Sequence, residues 1–120
     1  MSAAAPSVWE DWIEVCGVDD ITPDTGVAVL IGDVQIAIVR VGEGAHQQLF
    51  AVGNYDPFSR AFVIARGIVG DRDGVPKIAS PIFKHNFDLR TGQCLDDPGV
   101  RLPSYPVRVN NGRVELCVAA

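Results

Sequence analysis

Apolar and polar positions alternate in short runs along most of the chain, and turn-forming residues separate the runs. Trp9–Val15 mixes apolar and acidic residues and reads as a first strand. After a loop at 19–26 punctuated by Pro23 and Gly26, Val27, Val29 and Ile31 alternate, Gly32-Asp33 makes a turn, and Val34, Ile36, Ile38 and Arg40 return as the second arm of a hairpin. Residues 42–47 form the next turn, and 47–54 another short strand ending at Gly53-Asn54. The middle, 54–74, is less regular. It allows a short helical turn near Ser59–Ala65 and closes in the turn cluster 70–74. Strand, loop and strand follow over 75–94, with a tight turn at Thr91-Gly92, then a loop at 96–104. The chain closes in a hairpin in which Asn111-Gly112 favours a type I′ turn between Val107, Val109 and Val114, Leu116. Strands repeating every roughly 8–12 residues predict an all-β fold, a small antiparallel sandwich or barrel with a short helical segment. One domain is expected over 8–118, after a frayed tail of small residues at 1–7.

Composition narrows the function classes. A chain of 120 residues with 48% apolar and 21% charged residues fits an ordinary globular domain that needs no staples. A net charge of -5 disfavours binding to a nucleic-acid backbone or to an anionic membrane surface, both of which ask for clustered Lys and Arg. No run approaches the ~18 apolar residues of a membrane span. The first residues carry neither a basic cluster nor an apolar run, so no signal peptide is expected. Cys16, Cys94 and Cys117 are odd in number and widely spaced, which suits buried thiols in a reducing compartment. A cytoplasmic protein is expected.

Two segments carry the chemistry, 51–61 (AVGNYDPFSRA) and 78–94 (IASPIFKHNFDLRTGQC). The second resembles the cluster-binding loop of Rieske iron–sulfur proteins, in which Cys-Pro-x-His precedes Phe-Asp-Leu-x-Thr-Gly. Pro81, Phe87, Asp88, Leu89, Thr91 and Gly92 match that pattern, while Ser80 falls on the cysteine position and Phe83 on the histidine position. The first segment resembles the Cys-x-His loop, with Asp56 and Phe58 in the ligand positions and Pro57 between them. A Rieske centre needs two thiolates and two imidazoles. A phenyl ring donates nothing to iron, and carboxylate and hydroxyl suit a soft iron–sulfide cluster poorly. The frame is therefore expected without the cluster, and with no metal site at all. His46, His85 and the cysteines show no paired ligand spacing. Asp71-Arg72-Asp73-Gly74 lacks the downstream glutamate of a calcium loop and reads as a turn. Ser80, His85 and Asp88 allow a hydrolytic triad to be drawn, but no nucleophile-elbow motif supports it, and no catalytic residue is assigned.

A Rieske frame with altered ligands is itself a pattern. Residues 26–41, 54–61, 65–100 and 105–116 resemble the small subunits of NAD(P)H-dependent assimilatory nitrite reductases. The resemblance implies a Rieske-like fold and a role as a non-catalytic accessory subunit. It implies a large-subunit partner carrying sirohaem, a [4Fe–4S] cluster and FAD, which reduces nitrite to ammonia with NAD(P)H. On this chain it implies no cofactor. The former cluster tip would present Pro57, Phe58, Pro81, Ile82, Phe83 and Lys84. Either the two phenyl rings fold inward and fill the space of the cluster, or they face outward as an apolar docking patch. Lys84, His85, Arg60 and Arg66 could form a polar rim, or a merely solvated face. Two other functions compete: an electron-transfer ferredoxin of an oxygenase system, and a redox-inactive scaffold or regulatory module.

Overall fold

A computed structural model describes residues 11–118. The tail at 1–7 and the start of the strand predicted from Trp9 lie outside the described residues. Twelve strands follow in order: β1 (Trp12–Gly17), β2 (Thr25–Ile31), β3 (Val34–Val41), β4 (Gln48–Gly53), β5 (Tyr55–Asp56), β6 (Ala61–Phe62), β7 (Ile68–Arg72), β8 (Val75–Ala79), β9 (Asn86–Asp88), β10 (Ser104–Tyr105), β11 (Val107–Asn110) and β12 (Arg113–Cys117). Their antiparallel pairing gives a sheet β1-β12-β11, a sheet β10-β4-β3-β2, the small ladder β5-β6 and a sheet β7-β8-β9.

Strand β3 explains the layering. In its run Ile36-Ala37-Ile38-Val39 all four residues are fully buried. A strand turns successive side chains to opposite faces, so a run buried throughout needs a core on each side. Ile36 and Ile38 join Val18, Ile21, Ala51, Val114 and Leu116 in one core. Ala37 and Val39 join Val52, Ile64, Ile78, Phe87, Leu89, Cys94 and Leu102 in the other. The second core carries β7, β8, β9 and the loops of interest.

The hairpins follow their turn residues. Ile31 pairs with Val34 around Gly32, which adopts φ 59. Asn110 pairs with Arg113 around Asn111 and Gly112, at φ 52 and 76, the backbone of a type I′ turn. Asp73 and Gly74, at φ 52 and 85, close the β7–β8 hairpin in the same way, and the Gly74 amide donates to Asp71 at 3.0 Å. The turn cluster expected at 70–74 is thus corrected: Gly70, Asp71 and Arg72 end β7, paired with Lys77, Pro76 and Val75, and Asp73-Gly74 alone makes the turn. The short helical turn expected near Ser59–Ala65 is found at its far end: Ala61–Phe62 is strand, and a single 3-10 turn occupies Ile64–Arg66. Buried Asn54 sets that limit, because its Oδ1 takes the Ala65 amide at 2.8 Å and its carbonyl the Ile64 amide at 3.1 Å.

Candidate functional site

The loops 56–60 and 80–84 close by the same device. The Arg60 amide donates to the Asp56 carbonyl at 2.7 Å, and the Lys84 amide to the Ser80 carbonyl at 3.1 Å. Each is a single i+4 to i turn. The residue that closes each loop is left-handed, Arg60 at φ 59 and Lys84 at φ 66. The Lys84 ammonium caps its own loop by donating to the Pro81 carbonyl at 3.0 Å.

The first residues of the two loops meet. Asp56 and Ser80 are both fully buried, and the Ser80 hydroxyl donates to Asp56 Oδ2 at 2.5 Å. The same carboxylate accepts the Ser59 hydroxyl at 2.8 Å and the Phe58 amide at 2.9 Å. Burial pushes the Asp56 carboxyl up, but the hydrogen bonds from Ser80, Ser59 and the Phe58 and Ser59 amides outweigh it and hold it below the usual carboxylate range. Asp56 is thus the charged hub of both loops. Ser59, in the Asp-Pro-Phe-Ser turn, joins the site although no ligand position of the loop pattern falls on it. Its signal was the hydroxyl three residues after an aspartate, the spacing of a local side-chain turn.

The two phenylalanines differ. Phe58 is half-buried, packs against the second core and lies flat on the His85 ring, with centroids 3.6 Å apart and planes 4° from parallel. Phe87 lies beyond it at 6.3 Å. Phe58 is therefore a packing residue, and the reading that turns it outward is corrected. Phe83 faces out with 59% of its surface exposed, and Ile82 with 46%. Pro57 is exposed and Pro81 half-buried beside them. His85 belongs to the stack and not to a polar rim, and its Nδ1 is buried without a hydrogen-bond partner among the described residues.

The triad drawn from Ser80, His85 and Asp88 does not assemble, because the Ser80 proton is held by Asp56 and the Asp88 carboxylate by Arg90 at 3.0 Å. The Phe-Asp-Leu-Arg-Thr-Gly stretch has its own structural reasons. Phe87 and Leu89 are core residues. The Arg90 side chain, against the smaller opposing effect of burial, keeps the Asp88 carboxyl low. Gly92, at φ 82, lies so close to the Leu102 carbonyl that any Cβ would collide with it. Outside this turn, the Asn86 amide holds Asp96 low, with burial opposing and the Asn86 and Arg72 side chains assisting.

A Rieske-like [2Fe–2S] domain is the protein family whose pattern matches residues 11–117. The NADH nitrite reductase small subunit of Escherichia coli (strain K12) is 40% identical over 105 residues, spanning 88% of this chain and 95% of its own. The chain belongs to the family of nitrite reductase small subunits. In the crystal structure of a Mycobacterium tuberculosis member, assigned as an NADH-dependent nitrite reductase small subunit, 46% of residues are identical. The two structures superpose with a TM-score of 0.85 over 92% of this chain and 97% of the other. The NAD(P)H nitrite reductase large subunit of Klebsiella oxytoca is 36% identical over 103 residues, which are 86% of this chain but 10% of that polypeptide. A stretch like this small subunit is therefore part of a large-subunit chain there.

The domain family implies a [2Fe–2S] group. The residues at the four ligand positions of the loop patterns do not fit it: Asp56, Ser80, Phe58 and Phe83 offer a carboxylate, a hydroxyl and two phenyl rings in place of two thiolates and two imidazoles. Asp56 and Ser80 spend their polar atoms on each other and on the loop backbone. Among the described residues no group of three or more His, Cys, Asp or Glu could hold a metal ion. The thiol in the core beneath these loops, Cys94, is packed among apolar residues. No described helix is long and apolar enough to cross a membrane.

Proposed function

We propose that this chain is the accessory small subunit of an NAD(P)H-dependent nitrite reductase, and that it uses the former cluster tip for contact instead of electron transfer. The observation that carries this reading is the Asp56–Ser80 hydrogen bond. It holds together two loops that a Rieske protein would join through iron and sulfide, with side chains that cannot bind either. Phe83 and Ile82, exposed on the second loop with Lys84, are the anchors of the docking patch, and Pro57 and Pro81 stiffen it. The partner is the large subunit, with sirohaem, a [4Fe–4S] cluster, FAD and NAD(P)H as its cofactors, and the complex works in the cytoplasm. The Klebsiella oxytoca large subunit supports the pairing, since it carries a stretch like this chain in one polypeptide.

The test is co-purification with the large subunit, combined with iron analysis and paramagnetic resonance of the isolated small chain. A sirohaem-bearing partner should be retained, and the isolated chain should carry no cluster. A Rieske-type spectrum from the isolated chain would overturn the contact role in favour of a ferredoxin. Failure to retain the partner would overturn the subunit role.

A further inference from the structure

The β11–β12 turn holds an asparagine and a glycine whose polar groups are not engaged. The chain has four asparagines, at 54, 86, 110 and 111. Asn54 is buried, with its carboxamide bonded to Gln35 and to the Ala65 amide. The Asn86 carboxamide accepts from Lys77 at 2.7 Å and donates to Asp96 at 3.1 Å. Asn110 ends β11, pairs with Arg113 and is followed by a residue with a side chain. Asn111 is exposed, and its carboxamide has no hydrogen-bond partner among the described residues. It precedes Gly112, whose amide donates to no group among the described residues. Nothing lies within 4 Å of where a Cβ on Gly112 would stand, so no neighbour crowds the junction.

The β7–β8 turn is the internal comparison. Asp73 and Gly74 repeat the left-handed pair of Asn111 and Gly112, and both are exposed. There the glycine amide is held, donating to Asp71 Oδ2 at 3.0 Å. An amide so engaged must give up its hydrogen bond before its nitrogen can act as a nucleophile. The Gly112 amide has none to give up. Asparagine is among the thermolabile residues, and an unheld amide next to it is the reacting partner it needs. The Gly112 nitrogen bonds to the Asn111 Cγ, and the Cγ–Nδ2 bond breaks. The Gly112 amide proton leaves with Nδ2 as ammonia, and a succinimide ring remains. Water then opens the ring at one carbonyl or the other, leaving aspartate or isoaspartate at 111. The net change is one water taken up and one ammonia released, so no oxidant, reductant or cofactor enters.

We propose that Asn111-Gly112 is a modification site, a slow deamidation that adds a negative charge to the hairpin tip and whose isoaspartyl product unseats the β11–β12 turn. Aspartate keeps the same backbone and is among the residues that tolerate the left-handed conformation. Isoaspartate runs the chain through the side chain and adds a carbon to a turn whose two residues set the register. That register pairs Val109 with Val114 and Val107 with Leu116, and Val114 and Leu116 are core residues. The Gly112 carbonyl also accepts the Val18 amide at 2.9 Å, so the turn is tied to the same core. The proposal is independent of the subunit reading.

The experiment incubates the folded full chain in warm, mildly alkaline buffer. Peptide mapping by mass spectrometry then follows the amide, aspartyl and isoaspartyl forms at each asparagine. Conversion should be confined to position 111 and absent there in Asn111→Gly, which keeps a Gly-Gly turn of the same type. Asp73→Asn places an Asn-Gly pair in the β7–β8 turn, where the held amide should slow conversion about threefold or more relative to position 111. Adding Asp71→Ala should remove that lag. In urea the two turns should convert alike, because folding no longer separates them. The isoaspartyl fraction of the wild-type chain should melt below its aspartyl fraction. A folded chain that keeps Asn111 intact while the chain in urea converts it overturns the proposal, because the turn then protects the pair. Equal rates at the two turns of folded Asp73→Asn, or a lag that survives Asp71→Ala, overturn the role of the unheld amide. Equal melting of the two fractions overturns the effect on the turn.

Discussion

The Ser80 hydroxyl donates to the buried Asp56 carboxylate at 2.5 Å, between loops 24 residues apart in the chain. Loops bridged by iron and sulfide need no direct contact. Here the contact is a charge-assisted hydrogen bond, the stronger kind. Ser80→Ala should cost about 2 kcal/mol, within the range for hydrogen bonds to charged groups. Asp56→Ala strands the Ser59 and Ser80 hydroxyls and the Phe58 amide, so it should cost about 3 kcal/mol or more. Urea denaturation of both single variants and the double variant tests the pair. The double variant should lose less than the two singles together, and simple additivity would mean that Ser80 and Asp56 are not coupled.

The same carboxylate sets an acid limit. Asp56, Asp88 and Asp96 are all held below the ordinary carboxylate range. A group whose folded pKa is depressed stabilises the fold at pH values above its unfolded pKa, about 3.9 for Asp, and that stability is lost as pH falls through the folded value. Stability should therefore be flat near neutrality and decline below about pH 4. Asp56→Asn should lower stability at neutral pH and flatten the acid decline. Thermal melts of both proteins from neutral to strongly acidic pH measure this. A variant curve that parallels wild type would assign the acid sensitivity to Asp88 and Asp96.

Much of this architecture is legible in local pattern. The β2–β3 and β11–β12 hairpins announce themselves because alternation and turn chemistry agree at Gly32-Asp33 and Asn111-Gly112. The β7–β8 hairpin is harder, because Ile68, Val69 and Gly70 give little alternation and Asp71, Asp73 and Gly74 look like turn throughout. The short helical turn expected near Ser59–Ala65 is confined to Ile64–Arg66 for a tertiary reason: Asn54, eleven residues before Ala65, claims its amide. At the site, the family resemblance points to Asp56 and Ser80, but their hydrogen bond joins distant segments and no sequence period encodes it. The directions of Phe58 and Phe83 are likewise set by what surrounds them. Phe58 has a flat partner in His85 and a core beneath it. Phe83 sits on a loop fixed by the left-handed Lys84 and points away.

If Asp56, Phe58, Ser80 and Phe83 stand where the cluster ligands of a Rieske domain stand, restoring those ligands should restore the site. The variant Asp56→Cys/Phe58→His/Ser80→Cys/Phe83→His offers the two thiolates and two imidazoles that the centre requires. Expressed with iron and sulfide supplied, it should bind about two iron atoms per chain and show a Rieske-type paramagnetic resonance spectrum. The half-restored variant Asp56→Cys/Ser80→Cys should not show that spectrum, since its second iron has no imidazoles. A folded four-residue variant that binds no iron would mean that these positions do not have the ligand geometry, and that the loops diverge from the Rieske frame more than their pattern suggests.

The two phenylalanines separate stability from docking. Phe58 is half-buried against His85 and the core, so Phe58→Ala should destabilise the chain by about 2–3 kcal/mol, somewhat less than a fully buried phenylalanine. Phe83 is mostly exposed, and Phe83→Ala should change stability by less than about 0.5 kcal/mol. Affinity for the large subunit should follow the opposite order. An exposed aromatic that becomes the buried anchor of an interface contributes about 2 kcal/mol or more, which is roughly thirtyfold in binding. Phe83→Ala should therefore fold like wild type and bind weakly. Phe58→Ala should bind within a few-fold of wild type once its folded fraction is taken into account. Denaturation and binding measured on the same preparations decide the matter. If Phe83→Ala binds like wild type, the 80–84 loop is not the anchor, and the contact rests elsewhere on the chain. If Phe58→Ala loses binding while remaining folded, the Phe58–His85 stack itself must open on docking, and the buried Nδ1 of His85 becomes available to the partner.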